Sequence, residues 1–146
     1  MAITRAQADA EWDLAKLVHE LDMQNNARLR DRIARLGITG TQAAALREMT
    51  GPMSISELAG RMGCEASNAA VIVDRLERQH LMERREHPTD RRARLLSLTA
   101  EGTALRRKLL KVLTEAPLFL ALTEAEQDAL RELVQRALVA RYRMRR

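Results

Sequence analysis

Hydrophobic residues recur at helical spacing along most of this chain, beginning with one long uninterrupted pattern. From about Arg5 to Leu36 there is no proline or glycine, and Gly37 follows where a C-terminal cap residue is expected. A helix of this length carries more apolar surface than a small neighbour can cover. We therefore expect its first half to pack on another subunit.

Two shorter helices are marked by residues that cap helix N-termini. Thr39 and Gln42 have the spacing of a capping box and predict a helix over roughly residues 40–49. Ser54 and Glu57 repeat this spacing before a short amphipathic segment that ends in glycine. The chain therefore predicts two short helices ahead of its middle.

The next helix is predicted from about Glu65 to Gln79 and has a clear inner face. Its core-facing stripe, at positions i, i+3, i+4 and i+7, consists of Ala69, Ile72, Val73 and Leu76. The outward positions are Ser67, Asn68, Ala70, Val71, Asp74, Arg75 and Arg78. A face that is small and polar at its start can enter a DNA major groove closely, and its later arginines can reach phosphates.

The hydrophobic pattern then changes to two short strands that flank a turn. Strands are predicted over residues 81–86 and 94–98, and Pro88 and Asp90 supply turn chemistry between them. This hairpin displays Arg84, Arg85, Arg91, Arg92 and Arg94. Two helices joined by a glycine turn and followed by such a hairpin are typical of a winged helix-turn-helix, which reads DNA.

The last part of the chain is helical again. Thr99 caps one long helix, and Pro117 breaks or kinks it near its end. Thr123 and Glu126 form another capping box, which opens the final helix. The apolar stripes of these helices exceed what the middle of the chain could cover.

These patterns together predict a mainly α fold with a small β wing. Residues 37–99 are expected to form a winged helix-turn-helix DNA-binding domain. Residues 1–36 and 100–146 are expected to join into a helical dimerisation region built from both termini.

Composition narrows the class of protein. The formal net charge is +5 and the sequence pI is about 10.3, which suits nucleic acid but also acidic proteins and membrane surfaces. The cations are nearly all arginine, whose fork suits phosphate and guanine, although genome base composition can produce the same bias. Aromatic residues make up only 2%, which argues against a protein that stacks the bases of single strands.

The cellular location and the possible chemistry of the protein are inferred from sequence features that are missing or rare. The sequence has no apolar run of about 18 residues that could span a bilayer and no apolar signal core, so a cytoplasmic protein is expected. The single cysteine, Cys64, agrees with a reducing compartment and is interpreted either as a small buried residue or as a redox sensor. His19, His80 and His87 are scattered, and we find no nucleophile motif or phosphate loop. We therefore expect no metal site, no cofactor and no enzyme activity.

Four segments of the chain carry a family signature. They are Thr39 to Gln42, ISELAGRM, SNAAVIVDRLERQHL and PTDRRARLLSLTAEG. Together they resemble the MarR family of winged-helix transcription regulators over roughly residues 35–110. The most specific element is Asp90-Arg91-Arg92 in the wing, ahead of a helix opened by Leu98-Thr99.

The resemblance implies a homodimer, held by helices from both termini, that binds a pseudo-palindromic operator and most often acts as a repressor. In many family members a small molecule binds between the dimer helices and the winged domain and releases the DNA. A pocket in the family often lies beside the first helix, where Trp12, His19 and Met23 share one face. Packing of these three residues against another subunit or domain is the alternative interpretation.

The resemblance also assigns DNA contacts by position. The recognition-helix residues are Ser67, Asn68, Ala70 and Val71. Arg75, farther along the same outward face, is expected from its position to reach phosphate. In the wing, Arg92 would enter the minor groove, Asp90 would orient it, and Arg91 would lie near phosphate.

Four positions depart from the family pattern. The family usually has a polar residue at the place of Ala70 and often arginine at that of Val71, so base reading would rest on Asn68 and on apolar contact. Glu65 stands where aspartate commonly begins the recognition helix and is a poorer cap. His80 replaces a usual glycine, at a position where a left-handed backbone would be less comfortable for histidine.

Two other functions fit the same fold. A winged-helix adaptor would use the exposed helix to bind a protein, and a nonspecific architectural protein would bind duplexes with little preference. The wing arginines could also be a solvated charged surface. Strong, salt-dependent and sequence-selective binding to duplex DNA would separate the regulator from all three alternatives.

Overall fold

The computed structural model describes residues 3–115 and 117–144, and side chains as far as residue 140. The described residues form two compact units, one before and one after residue 116. The elements of the first unit are α1 (Arg5–Ala34), α2 (Gly40–Glu48), α3 (Ile55–Met62), α4 (Ala66–Arg78), β1 (Met82–Glu86), β2 (Arg94–Leu98) and α5 (Ala100–Thr114). The second unit contains α6 (Glu124–Met144). The mainly α fold with a small β hairpin is confirmed.

Helix α1 is a long helix with little buried surface. Thr4 and Gln7 form a reciprocal capping box at its start, so the helix begins where the chain can satisfy its free N–H groups. Gly37 follows its end with φ +76°, a backbone conformation that suits glycine. Leu29 is the buried residue of α1, and Ile33 packs partly against the core. The first half of α1 therefore lies exposed in the single chain.

The capping signals of the short helices are confirmed, one fully and one in part. Thr39 and Gln42 form both bonds of a capping box at the start of α2. At α3 the Ser54 hydroxyl accepts a hydrogen bond from the backbone N–H of Glu57 at 3.1 Å. The Glu57 carboxylate accepts a hydrogen bond from Arg61 at 3.1 Å instead of reaching back to Ser54, so the expected second bond of that box is replaced.

The two strands pair as an antiparallel hairpin, with a third segment bridged to it. The register places Met82 opposite Leu98 and Glu86 opposite Arg94. Met53 exchanges backbone hydrogen bonds with Leu96 at 3.1 and 2.8 Å, which ties the α2–α3 connection to the hairpin.

The core lies between α2, α3, α4, the hairpin and α5. Its fully buried large side chains are Leu46, Met53, Leu58, Val73, Leu76, Met82, Leu96 and Leu109. They come from every element that surrounds the core, so the unit closes on itself in the way expected of a small domain.

Helix α5 is held against the turn that precedes the hairpin. Thr99 caps α5, and its hydroxyl donates a hydrogen bond to the carbonyl of His80 at 2.7 Å. A Cβ atom on Gly102 would lie 1.8 Å from the carbonyl oxygen of Leu81, so only glycine fits there. This close approach fixes the start of α5 relative to the winged region.

The second unit opens with the predicted capping residues. The Thr123 backbone N–H and hydroxyl donate hydrogen bonds to the Glu126 carboxylate at 2.8 and 3.0 Å, and these bonds lower the pKa of that carboxyl below its ordinary value. Along α6, Leu133, Val134 and Leu138 are exposed. No helix in the described part of the chain is both long enough and apolar enough to cross a membrane.

Candidate nucleic-acid interface

Helix α4 presents the outward face that the sequence predicts. Ala69, Val73 and Leu76 are buried and anchor the helix to the core. Ser67, Asn68 and Arg75 are exposed, Ala70 is half-buried, and Val71 is 53% exposed. The five predicted recognition-helix residues therefore lie on the accessible side of α4.

The start of α4 is set by the turn that joins it to α3. Gly63 adopts φ +67°, and the backbone N–H of Cys64 donates to the carbonyl of Ala59 at 3.0 Å. Glu65 occupies the N-cap position of α4 and makes no side-chain capping bond. The first N–H groups of α4 are therefore left without a side-chain partner, as the expected weakness of glutamate as a cap implies.

The turn of the wing is organised by short-range hydrogen bonds. The ring Nδ1 of His87 accepts from the backbone N–H groups of Thr89 and Asp90, each at 3.2 Å. A carboxylate oxygen of Asp90 accepts from the backbone N–H of Arg92 at 2.9 Å. Asp90 therefore holds the backbone that carries Arg92.

The arginines of the hairpin fall into two groups. Arg84, Arg85 and Arg94 are exposed, as the sequence predicts, and each is ion-paired with an acidic residue. Arg85 donates to Glu83 at 2.7 Å, and Arg94 lies 3.6 Å from Glu86.

Arg84 joins the hairpin to the recognition helix. One guanidinium nitrogen lies 2.9 Å from a carboxylate oxygen of Asp74, and another is hydrogen-bonded to Glu77. Both carboxylates belong to α4, and Asp74 is one of its predicted outward residues. The ion pairs neutralise negative charge on the face that is expected to meet DNA.

Four arginines around this face make no ion pair with any residue that the structure describes. Arg91 and Arg92 lie on the turn of the wing, and Arg75 and Arg78 lie in the second half of α4. All four are exposed. They are the cations of this region that remain available to phosphate or to a groove.

A polar network built on the buried Gln42 supports the end of α4 and was not predicted. The Gln42 amide donates to Gln79 at 2.6 Å, and the Gln79 amide donates to the carbonyl of Gly37 at 3.3 Å. Gln42 also accepts from the backbone N–H of Thr39 at 2.9 Å. These bonds tie the α1–α2 connection and α2 to the C-terminal cap of α4.

His80 has the left-handed backbone that was considered for it. Its φ is +57°, and it is the non-glycine residue with positive φ in the described chain. The conformation reverses the chain between α4 and the hairpin. Histidine tolerates it at some cost in conformational energy.

The residues suggested for an effector are not among the residues that line the main cavity beside α1. Trp12 and Met23 are 69% and 54% exposed on α1, and His19 is exposed on the same face. A cavity of about 590 Å³ lies farther along α1, beside α2 and α5. Its lining includes Leu29, Arg30, Ile33, Thr39, Ala43 and Leu113. The assignment of Trp12, His19 and Met23 to a pocket stays a prediction.

The remaining candidate chemistry is sparse. Cys64 is a free, half-buried cysteine. Among the residues described by the structure, no group of three or more histidine, cysteine, aspartate or glutamate side chains could hold a metal ion.

Comparison with known proteins identifies similar sequences and folds. A model described as the MarR family matches residues 38–93. The HTH-type transcriptional repressor MdtR of Bacillus subtilis is 35% identical over 74 residues, which are 49% of this chain and 48% of MdtR. The chain thus spans about half the length of this curated relative.

Solved structures resemble the chain over a larger part of its length. A mutant of MarR from E. coli complexed with operator DNA has a TM-score of 0.75 and 24% identity, over 86% of this chain and 94% of that one. Bordetella bronchiseptica BpsR, whose DNA binding is regulated by 6-hydroxynicotinic acid, has a TM-score of 0.74 and 22% identity, over 86% of this chain and 98% of BpsR. At these identities the structures establish a shared fold.

Proposed function

The chain belongs to the MarR family of winged helix-turn-helix transcription regulators, and from this premise we propose that it is a repressor that binds a pseudo-palindromic DNA operator as a homodimer. In the proposed complex, α4 of each copy enters a major groove, and each wing reaches an adjacent minor groove. The two half-sites would lie about one helical turn apart, roughly 10 bp.

One observation carries the DNA-binding proposal. The unpaired arginines Arg91 and Arg92 lie on the wing, and Arg84 ties the wing to the recognition helix. Arg75 and Arg78 add positive charge on α4, and Asp74 is neutralised by its ion pair. A surface of this kind attracts the phosphate backbone and holds the base-reading residues in register.

Exposed apolar residues of α1 support the homodimer. Trp12, Leu14, Leu17 and Val18 are each at least 59% exposed in the single chain. Water-exposed apolar surface on this scale favours burial against a partner. We propose that a second copy of this chain supplies the partner and that α6, whose exposed Leu133 and Leu138 share its apolar stripe, takes part.

The cavity beside α1 supports a second element of the proposal, release of DNA by a small molecule. Its lining combines apolar side chains with Arg30 and the Thr39 segment, so it suits a molecule with an apolar body and a polar end. It also adjoins the Gln42–Gln79 network that reaches the end of α4. An effector would act only if its affinity differed between the DNA-competent arrangement and another arrangement.

The test is selection of bound duplexes from a random pool, followed by affinity measurement at several salt concentrations. We expect a palindrome with half-sites about one turn apart and an affinity that falls steeply with salt. A folded protein that enriches no motif would contradict the proposal. Uniform binding to all duplexes would favour an architectural protein, and absence of duplex binding would favour an adaptor.

Two matched variants connect the selected operator to the wing. Arg92→Ala removes an unpaired cation from the turn, whereas Arg85→Ala removes an arginine that is bonded to Glu83 in the same hairpin. We expect the first to weaken binding about tenfold and to reduce the salt dependence, because charge contacts to DNA release counterions. The second should change affinity much less. If both variants lost the same affinity, ion pairing in the free protein would not determine which arginines contact DNA.

A further inference from the structure

Val71 is the large apolar residue exposed on the outward face of α4, where its side chain can distinguish one DNA base from another. We propose that Val71 contacts the C5-methyl group of a thymine in the major groove and so makes each half-site depend on that methyl group. This inference rests on the proposed DNA-binding function and deepens it by naming the chemical group that is read. It starts from the 53% exposure of Val71 on a helix whose opposite side is buried.

Thymine is the base that matches such a side chain. In the major groove the edges of guanine, cytosine and adenine present hydrogen-bond donors and acceptors, and thymine adds a methyl group. A valine pressed against the other edges would remove water from polar groups and return no hydrogen bond. The contact therefore gains affinity from thymine and costs affinity with the other bases.

The charged neighbours of Val71 on α4 are Asp74 and Arg75, and Arg75 is proposed to contact phosphate. Asp74 lies one turn farther along, where a free carboxylate could accept a hydrogen bond from the amino group of cytosine. Its carboxylate is instead held by Arg84 at 2.9 Å. One turn before Val71 the helix offers the small hydroxyl of Ser67 and the amide of Asn68, and Ala70 beside Val71 is also apolar. The middle of the recognition face is therefore apolar.

Two other parts of the interface favour the same base pairs. Asn68 is exposed at the start of α4, and an asparagine amide pairs with the edge of adenine through two hydrogen bonds. The unpaired Arg91 and Arg92 suit a narrow minor groove, which is typical of A·T-rich DNA. The interface as a whole therefore points to half-sites in which A·T pairs lie beneath both α4 and the wing.

Replacing thymine by deoxyuridine tests the contact with a change of one methyl group. The selected operator is synthesised with each thymine replaced in turn, which preserves base pairing. At one thymine of each half-site we expect binding to weaken about fourfold, the worth of one buried methyl group, and about 15-fold when both half-sites are changed. At the same position 5-methylcytosine should bind about fourfold better than cytosine.

Variants of Val71 show whether this residue makes the contact. Val71→Ser removes the apolar surface and should bind the thymine and deoxyuridine operators equally, whereas Val71→Ile should keep the preference. Because Val71 is exposed, both variants should fold like the parent, which circular dichroism checks. Selective operator binding with no effect of deoxyuridine would overturn the inference and leave the proposed function intact. An unchanged deoxyuridine effect in Val71→Ser would assign the methyl contact to another residue. Failure to select any duplex would remove both proposals.

Discussion

Large apolar side chains are buried in the winged region and exposed in the first half of α1. Between Ile38 and Leu109, large apolar side chains from α2, α3, α4, the hairpin and α5 meet in one closed core. In α1, Trp12 and Leu17 are 69% and 63% exposed although the helix is long and well capped. The difference separates surface that is buried by the chain itself from surface that we propose is covered by a partner.

This contrast assigns different energetic roles to similar residues. A buried leucine contributes through close packing that exists in every copy of the protein, so its effect does not depend on concentration. An exposed leucine of α1 contributes only when another molecule covers it, so its effect grows with concentration. Stability and assembly should therefore respond to separate sets of substitutions.

The largest expected effect lies inside the closed region, at Gly102. Gly102→Ala would place a methyl group 1.8 Å from the carbonyl oxygen of Leu81, so the start of α5 must move away from the turn. We expect the free energy of unfolding to fall by about 3 kcal/mol, as measured by urea denaturation. Gly60→Ala is the matched control, because nothing lies within 4 Å of a Cβ atom there and Gly60 is inside α3. It should raise stability by about 0.5–1 kcal/mol, and an equal loss at both positions would contradict this account.

The next effect lies in the exposed half of α1. Leu17→Glu combined with Leu21→Glu places two charges on the side of α1 that carries the exposed Leu14, Leu17 and Leu21. We expect the dissociation constant of the proposed dimer to rise more than tenfold, because buried unpaired charge is costly. Sedimentation equilibrium measures the change. Lys16→Glu changes charge on the other side of α1, next to Trp12, and should weaken association much less. Loss of monomer folding in the double variant would show that this surface serves the single chain.

The third prediction concerns Arg84, which links the hairpin to the outward face of α4. Arg84→Ala releases the carboxylates of Asp74 and Glu77, which then repel phosphate. Operator affinity in low salt should fall about tenfold, and Asp74→Asn in the same chain should recover part of the loss because it removes one of the freed charges. A direct phosphate contact by Arg84 predicts that Asp74→Asn gains no more affinity in the Arg84→Ala chain than in the parent. Fluorescence anisotropy with labelled operator distinguishes the two outcomes.

The elements of the fold that were predictable depend on neighbours in sequence. The Thr39–Gln42 box, the turn at Gly63 and the strand bounds near Met82 and Leu98 follow from short-range rules of capping, backbone conformation and alternation. The outward face of α4 was equally predictable, because a buried stripe at helical spacing leaves the other residues outside.

The parts that were not predictable depend on which side chains meet across the fold. The ion pairs of Arg84 were not predicted, because the sequence cannot show that Asp74 and Glu77 turn towards it. Gln42 was recognised as a capping residue, but its bond to Gln79 depends on how α2 packs on α4. Such contacts are set by packing, and the residue types alone allow many other pairings.

The smallest expected effect concerns His80, where backbone conformation and side chain disagree. The residue has φ +57° and an exposed side chain, so His80→Gly removes a steric cost without removing a buried contact. Glycine also gains freedom in the unfolded chain, so we expect a net stabilisation of only about 0.5 kcal/mol. Arg78→Gly, two residues earlier on the exposed side of α4, is the control and should cost about 0.5–1 kcal/mol because its backbone is helical. Urea denaturation of both variants measures the difference, and a destabilised His80→Gly would mean that its ring makes a contact worth more than the strain. The His80 side chain would then stabilise the single chain through contacts within it, as the buried core side chains do.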